Sequence, residues 1–285
     1  MEGERTVKRV LILVNPEKPD VRELTRSLGP WLGQRVTVET QDLGEATVET
    51  KADLVVVLGG DGSILKAARR LAGREVPVVG VNMGKLGYLA EFAAEEFREK
   101  FERIAAGRMP MTRRLMLSVR CEKAGGQTRE SLALNDVLVT GGEAHRMVGV
   151  AATIDGEAVT TYYGDGVLVS TPTGSTAYCL AAGGPILAPG LEALVLVPIC
   201  PHSLAHRPIV LRPDSEVTLE AGGFQKDAVC VVDGQEVVHL GRGDRVRVRR
   251  AKASFLLVQN DDRPVFSTLR EKLHWGHAPT YGDGS

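Results

Sequence analysis

The chain has no CxxC pair, no excess of either charge and no long apolar run. Its four cysteines, Cys121, Cys179, Cys200 and Cys230, stand far apart in sequence, which predicts isolated reduced thiols rather than a disulfide framework. Cys200 and His202 lack a second ligand pair, so they are read as structural rather than as zinc ligands. A net charge of −1 provides no global basic field, and no nucleic-acid partner is expected. Arg245, Arg247 and Arg249 alternate with Val246 and Val248, the pattern of a strand with one solvated face. Apolar stretches are short and broken by glycine, proline or charge, and the opening Met1-Glu2-Gly3-Glu4-Arg5 has no hydrophobic region. Neither a membrane span nor a signal peptide is expected, and the reading is a cytoplasmic protein. Internal repeats are absent, and only the polar tail 280–285 is of low complexity.

What is present is a core-forming composition: 285 residues, 43% hydrophobic and 25% charged, enough for one large or two ordinary domains. Apolar stretches at 10–14, 36–39, 54–58 and 76–81 alternate with helical patterns at 21–32, 63–72 and 94–106. That alternation predicts a doubly wound, Rossmann-like α/β domain over residues 1–108. Gly107 and Pro110 bracket a change of texture, after which helix signals are scarce to about residue 250. Short strands at 115–122, 132–140, 148–154, 159–163, 167–170, 209–211, 217–221, 228–232 and 246–250 predict a β-sandwich-like domain over 109–255.

The run Val55-Val56-Val57-Leu58-Gly59-Gly60-Asp61-Gly62-Ser63 ends a buried strand on glycines and presents a carboxylate just before a helix. Glycines let a ligand approach the backbone, and amides at a helix start favour phosphate. Asp61 would repel phosphate, so it needs a reason. It could orient a substrate hydroxyl or take its proton during phosphoryl transfer; the plain alternative is a helix N-cap. A second cluster, Gly164-Asp165-Gly166 followed by Thr171-Pro172-Thr173-Gly174-Ser175-Thr176-Ala177-Tyr178, crowds hydroxyls beside glycine, which suits a ribose, an adenine edge or phosphate oxygens. Asn135-Asp136 interrupts an apolar strand and would be costly if buried without partners. Asp233-Gly234-Gln235 follows Val231-Val232 and reads first as a hairpin turn.

Together these segments resemble the NAD kinase family. Gly59-Gly60-Asp61-Gly62-Ser63 is similar to its GGDG(T/S) loop, Asn82-Met83-Gly84-Lys85-Leu86-Gly87-Tyr88-Leu89 to a second family segment, and Asn135-Asp136 to its Asn-Glu/Asp pair. Most specific is the stretch from Asp165 to Tyr178 continued by Gly183-Gly184-Pro185-Ile186. Further matches are Pro198-Ile199-Cys200-Pro201-His202-Ser203-Leu204, Arg207-Pro208, and Leu269-Arg270-Glu271-Lys272-Leu273 with Trp275. Coverage runs from about residue 10 to 276, with 256–285 expected to return to the first domain. The GGDG loop alone also occurs in diacylglycerol kinases and similar enzymes; the Thr-Pro-Thr-Gly-Ser-Thr-Ala-Tyr context separates them.

The resemblance implies transfer of the terminal phosphate of ATP, or of polyphosphate, to the 2′-hydroxyl of the adenosine ribose of NAD, with a divalent cation, usually magnesium. It implies that Asp61 accepts or orients the 2′-hydroxyl, with Gly62 and Lys66 near phosphate. Asn135 and Asp136 would hold ribose hydroxyls. Thr176, Ala177 and Tyr178 would frame the adenine, with Thr173, Ser175 and Ala181 in the same stretch. Asp165 would reach the nicotinamide end, Arg146 would contact NAD and Gln235 would complete the pocket. A homodimer or homotetramer whose neighbouring subunits help build the pocket is implied as well. The chain departs from the family pattern at Ser63, which keeps the hydroxyl, at Cys179 and Ala181, and at Tyr163, a position often basic in the family. Tyr163 therefore leaves the charge of the nicotinamide end open. A lipid kinase of the diacylglycerol-kinase type and a non-catalytic NAD-binding sensor are the rival readings. The first lacks a membrane-binding helix or basic patch here, and retention of Asp61 argues against the second.

Overall fold

The computed structural model describes residues 7–44, 48, 50–84, 87–142, 147–188, 190–222 and 228–273. In chain order it begins β1 (Arg9–Val14), α1 (Pro19–Gly33), β2 (Thr37–Asp42), β3 (Leu54–Leu58), α2 (Asp61–Arg70), β4 (Val78–Val81), α3 (Ala94–Ala105) and β5 (Met111–Arg114). There follow β6 (Leu117–Glu122), β7 (Thr128–Ala133), β8 (Asp136–Gly141), β9 (Val148–Ile154), β10 (Glu157–Gly164) and β11 (Gly166–Ser170). A 3-10 turn (Gly174–Thr176) and a short helix α4 (Tyr178–Ala181) lead to β12 (Leu194–Ile199), β13 (Ile209–Leu211), β14 (Val217–Gly222), β15 (Ala228–Val232), β16 (Glu236–Leu240) and β17 (Arg245–Arg250). The chain returns through β18 (Phe255–Val258) and α5 (Val265–Leu273).

The first sheet has the order β2-β1-β3-β4-β18-β5, parallel except for β5. Every residue of β3 is buried, as a central parallel strand covered on both faces requires. Val56 and Leu58 face α1 and α3, where Leu24, Leu28, Phe97 and Phe101 close one core. Val55 and Val57 face α2, whose Ile64, Leu65 and Ala68 share a second core with Met116 and Leu134 of the β-rich half. Each such buried aliphatic side chain contributes about 1.5–3 kcal/mol. Helix α2, which starts at Asp61, is thereby wedged between the sheet and the second domain. The doubly wound expectation holds. Because β5 and β18 hydrogen-bond into the first sheet, the chain crosses between the halves at residues 115–116 and 251–254; the expected boundaries are 108/109 and 255/256.

The β-rich half is a sandwich of two six-stranded antiparallel sheets, β10-β9-β14-β17-β6-β7 and β13-β12-β11-β8-β15-β16. Their inner faces meet in one core, Val119, Leu219 and Val246 from one sheet against Val137, Val169 and Leu196 from the other. The single strand expected over 132–140 is in fact two: β7 belongs to one sheet and β8 to the other, and the chain changes sheets at Leu134 and Asn135. Three consecutive amides at that corner donate to one carboxylate, described below, in place of ladder partners. The expectation of reduced thiols rather than a disulfide framework holds: all four cysteines are free, although Cys121 of β6 and Cys230 of β15, far apart in sequence, share the sandwich core. No described helix is long and apolar enough to cross a membrane.

Candidate active site

Strand β3 ends at Gly59, whose N–H donates to Val81 at 2.9 Å, and α2 begins two residues later. Gly59 has φ +142°, and a Cβ there would collide with the Ser63 hydroxyl, so only glycine makes this turn. The N-cap of α2 is Gly60, and Asp61 is the first helical residue with no capping bond. The plain capping alternative for Asp61 is therefore not what forms.

The Asp61 carboxylate turns instead to the loop after β4. Its Oδ2 accepts the Tyr88 N–H at 2.9 Å, and its Oδ1 accepts the N–H groups of Leu89 and Ala90, both at 3.0 Å. Gly87 makes this approach possible, since a Cβ at that position would strike the carboxylate itself. A carboxylate has about four acceptor positions, so three backbone donors fix the group and, among the described residues, leave one position on Oδ2 open.

From the other domain, the turn between β15 and β16 delivers Asp233 and Gln235. Asp233, Gly234 and Gln235 form a three-residue hairpin loop closed by the Gln235 N–H on the Val232 carbonyl at 2.9 Å, and its first two residues, at φ +49° and +65°, are both left-handed. The turn expectation holds, and the turn also carries a network. The Asp233 carboxylate accepts the N–H groups of Leu134 at 3.1 Å, Asn135 at 2.8 Å and Asp136 at 3.2 Å. It also pairs with Arg69 of α2 at 2.7 Å. Burial pushes the Asp233 carboxyl up, while those N–H donors and Arg69 oppose the shift. Gln235 donates through Nε2 to the Gly62 carbonyl at 2.9 Å and accepts from Arg69. The GGDG loop and the Asn135-Asp136 corner are thus tied across the domain boundary.

Asp136 is buried, and its carboxyl is pushed up to about 7, first by burial and then by the neighbouring Asp233 charge. Asn135 receives the Thr171 N–H on its carbonyl at 2.9 Å, and Gly174 lies so close to that carbonyl that a Cβ would collide. The Thr-Pro-Thr-Gly-Ser turn is in this way pressed against the corner. Ser175 is fully buried, donating to Pro172 at 2.6 Å and accepting the Leu187 N–H at 3.0 Å, so its hydroxyl holds the turn together. Thr173 and Thr176 line a pocket with Tyr88 and Leu89; Ala177 is half-buried, and Tyr178 and Ala181 are exposed on α4. Lys66 is half-buried one turn along α2.

Asp61, Gly62, Asn135, Asp136, Thr173, Ser175, Thr176 and Gln235 therefore belong to one connected assembly. Tyr163 and Asp165 do not join it within this chain. They precede β11, whose far end pairs Ser170 with Asp136, and six extended residues span roughly 20 Å. There the exposed Asp165 carboxylate takes the Cys200 thiol as donor, which holds that thiol up. Arg146 lies outside the described residues, as do Lys85, Leu86 and Trp275. Sequence reasoning passed over Arg69 and the amides of residues 88–90. Backbone donors leave no residue-type signal, and Arg69 looks like any helix-surface arginine.

Comparison with known proteins gives a consistent picture. Residues 32–109 match the ATP-NAD kinase N-terminal domain and residues 134–260 the ATP-NAD kinase C-terminal domain. An NAD kinase of Geobacter metallireducens is 39% identical over 281 residues, covering 95% of this chain and 99% of that protein. One of Heliobacterium modesticaldum is 41% identical over 277 residues, covering 93% and 98%. Among solved structures, yeast NADH kinase complexed with NADH superposes with a TM-score of 0.89 at 25% identity, covering 96% of this chain and 89% of that one. An NAD kinase from Archaeoglobus fulgidus in complex with ATP superposes with a TM-score of 0.74 at 26% identity, covering 93% and 98%.

Proposed function

The chain belongs to the NAD kinase family, and from that premise we propose how its residues divide the work of phosphorylating NAD. It is a phosphotransferase that converts NAD to NADP. The observation that carries the assignment of roles is the open position on Asp61. With three backbone N–H groups on its carboxylate, the remaining Oδ2 position accepts the 2′-hydroxyl of the adenosine ribose and orients it, or takes its proton, for attack on the terminal phosphate of ATP or polyphosphate.

Asn135 and Asp136 hold ribose hydroxyls; a carboxyl at about 7 can donate as well as accept there. Thr173, Thr176, Ala177 and Tyr178 frame the adenine, while Ser175 keeps the turn in shape. The amides at the start of α2, with Gly62 and Lys66, face donor phosphate. Among the described residues there is no cluster of three or more metal-binding side chains. A divalent cation, magnesium in this reading, would come with the phosphate donor and supply charge neutralisation there, with Asp61 the carboxylate at the loop to face it.

Tyr163 and Asp165 serve the nicotinamide end. Their separation from the Asp61 cluster along β11 supports a homodimer or homotetramer in which a neighbouring subunit completes the pocket. Four free cysteines suit a reducing compartment such as the cytoplasm. The test is NADP formation, read with an NADP-specific dehydrogenase, from NAD, magnesium and either ATP or polyphosphate. Formation that disappears in Asp61→Asn supports the reading; an unchanged rate in that variant removes Asp61 from its role.

A further inference from the structure

Strand β18 runs parallel to β4 and beside it, with Leu257 opposite Val78, so the segments that follow the two strands emerge side by side at the carboxyl end of the sheet. After β4 comes the loop whose amides hold Asp61; after β18 comes Asn260, which is 1% exposed. The return of the loop is pinned to β4, where the Asn82 N–H donates to the Phe92 carbonyl at 2.8 Å and the Phe92 N–H to the Gly80 carbonyl at 3.2 Å. Between that anchor and the three amides stands the buried Glu91. Its Oε2 accepts the Asn260 N–H at 2.8 Å, and its carbonyl accepts from the Asn260 side-chain Nδ2 at 3.4 Å.

Asn260 is itself fixed. Its Oδ1 accepts the Asp262 N–H at 3.2 Å, and its Nδ2 also donates to Glu96 at 3.4 Å. Glu96 accepts the Ala93 N–H at 2.8 Å at the start of α3 and pairs with Arg263 at 2.9 Å. Lys100 of the same helix holds Asp261 at 2.8 Å and Asp262 at 2.6 Å. Residues 260–263 are thereby strapped to α3, and the strap grips the chain one residue past Ala90. Burial first, then the Asp61 charge, push the Glu91 carboxyl up to about 7, against the Asn260 N–H and the charges of Arg114 and Arg263. Near neutral pH its hold on the loop is therefore that of an acceptor, which a neutral amide can copy.

Asp61 makes no capping bond on its own helix, so its direction is set by the amides of residues 88–90, and theirs by whatever holds residues 91 and 92. We propose that Glu91 is a positioning residue for phosphoryl transfer: gripped by Asn260, it keeps those three amides aimed at Asp61 and so fixes the open Oδ2 position. This role presupposes the one given to Asp61 above. Glu91 acts through the loop and not on the reacting atoms, where a displacement of about 1 Å costs about a hundredfold in rate.

The test compares Glu91→Leu, which fills the space but accepts no hydrogen bond, with Glu91→Gln, which keeps an acceptor for the Asn260 N–H. Steady-state kinetics and amide hydrogen exchange at residues 88–90 are read on the full chain. Glu91→Leu should exchange faster there and lose kcat by about ten- to a hundredfold with the KM for NAD little changed, and Glu91→Gln should recover most of both. Asn260→Ala removes the two 3.4 Å bonds and spares the N–H. It should give the same changes at smaller size, and it keeps the test valid if Glu91→Leu does not fold. Wild-type exchange and kcat in Glu91→Leu, or a kcat loss that Glu91→Gln does not recover, would overturn the proposal. Faster exchange with a wild-type kcat would overturn it as well, and Asp61→Ala then separates the causes. Retained turnover in that variant removes the Asp61 reading itself, whereas lost turnover removes only the part given to Glu91.

Discussion

Arg69 and Asp233 are joined across the domain boundary by an ion pair of 2.7 Å in which the Asp233 side chain is 0% and the Arg69 side chain 7% exposed. The same carboxylate receives three consecutive amides of residues 134–136. The pair therefore does more than tie two domains. It sets the corner that presents Asn135 and Asp136, and Arg69 stands on the helix that begins at Asp61.

Removing one partner should be worse than removing both. Arg69→Met leaves a buried carboxylate without its cation and should destabilise the chain by about 3–5 kcal/mol. Adding Asp233→Asn should recover part of that loss, since the neutral side chain no longer needs a counter-charge, but only part, because both Asp233 oxygens accept backbone N–H groups and the amide nitrogen must oppose one of them. Urea denaturation of the two single variants and the double variant checks this. A double variant no more stable than Arg69→Met would show that the corner, rather than the charge, dominates.

Asp61→Ala and Asp61→Asn should keep NAD binding and lose turnover by about 10²–10⁴-fold, the usual range for a positioned acid–base group. Asparagine is not a neutral copy here. Both carboxylate oxygens accept from backbone N–H groups, so its amide nitrogen must oppose a donor and disturb the 88–90 loop. Calorimetry of NAD binding alongside the NADP endpoint assay distinguishes the effects. If Asp61→Asn also loses binding while Asp61→Ala keeps it, the cradle is what failed.

Much of this was legible in the sequence, and the part that was not shares a cause. The central strand 54–58, the glycine loop and the change to β texture are patterns of side-chain type, which a sequence displays directly. The unbroken strand expected over 132–140 failed because apolar periodicity cannot register a change of sheet; only Asn135-Asp136 marked the place. Asp233 was visible as a turn residue, yet its carboxylate acts on amides about a hundred positions away. Tyr88 sat within a recognised segment without being singled out, since its amide, common to every residue but proline, does the holding. The meeting of Cys121 with Cys230 likewise follows from register between two sheets, which spacing along the chain does not reveal.

Gly87→Ala tests the cradle without altering any acceptor. The added methyl would strike the Asp61 carboxylate, so either the loop or Asp61 must shift. Turnover should fall by about a hundredfold, as misplacement of about 1 Å does, with the KM for NAD changing far less. Steady-state kinetics with circular dichroism as a control for folding decide it. Normal turnover would mean that the loop yields freely and that its contact with Asp61 is incidental.

The last prediction concerns proton linkage at Asp136. Its carboxyl is raised from 3.8 to about 7, by burial first and then by Asp233. A group whose folded value lies above its unfolded value binds more protons when folded. Its contribution to stability is complete below about pH 4 and is lost as pH rises through about 7. The ligand-free chain should thus become less stable between about pH 5 and pH 8, and Glu91, also raised to about 7 by burial, acts in the same direction. Carboxylates held below their ordinary range, such as Asp244 beside Lys123 and Asp261 beside Lys100, act with the opposite sign but at lower pH. Asp136→Asn cannot titrate, so its stability should fall less steeply over that window while the Glu91 share persists. Urea denaturation at pH 5, 6, 7 and 8 for both proteins gives the slopes. Parallel curves would mean that Asp136 is ionised throughout, in which case it could only accept hydrogen bonds from a ribose and never donate one.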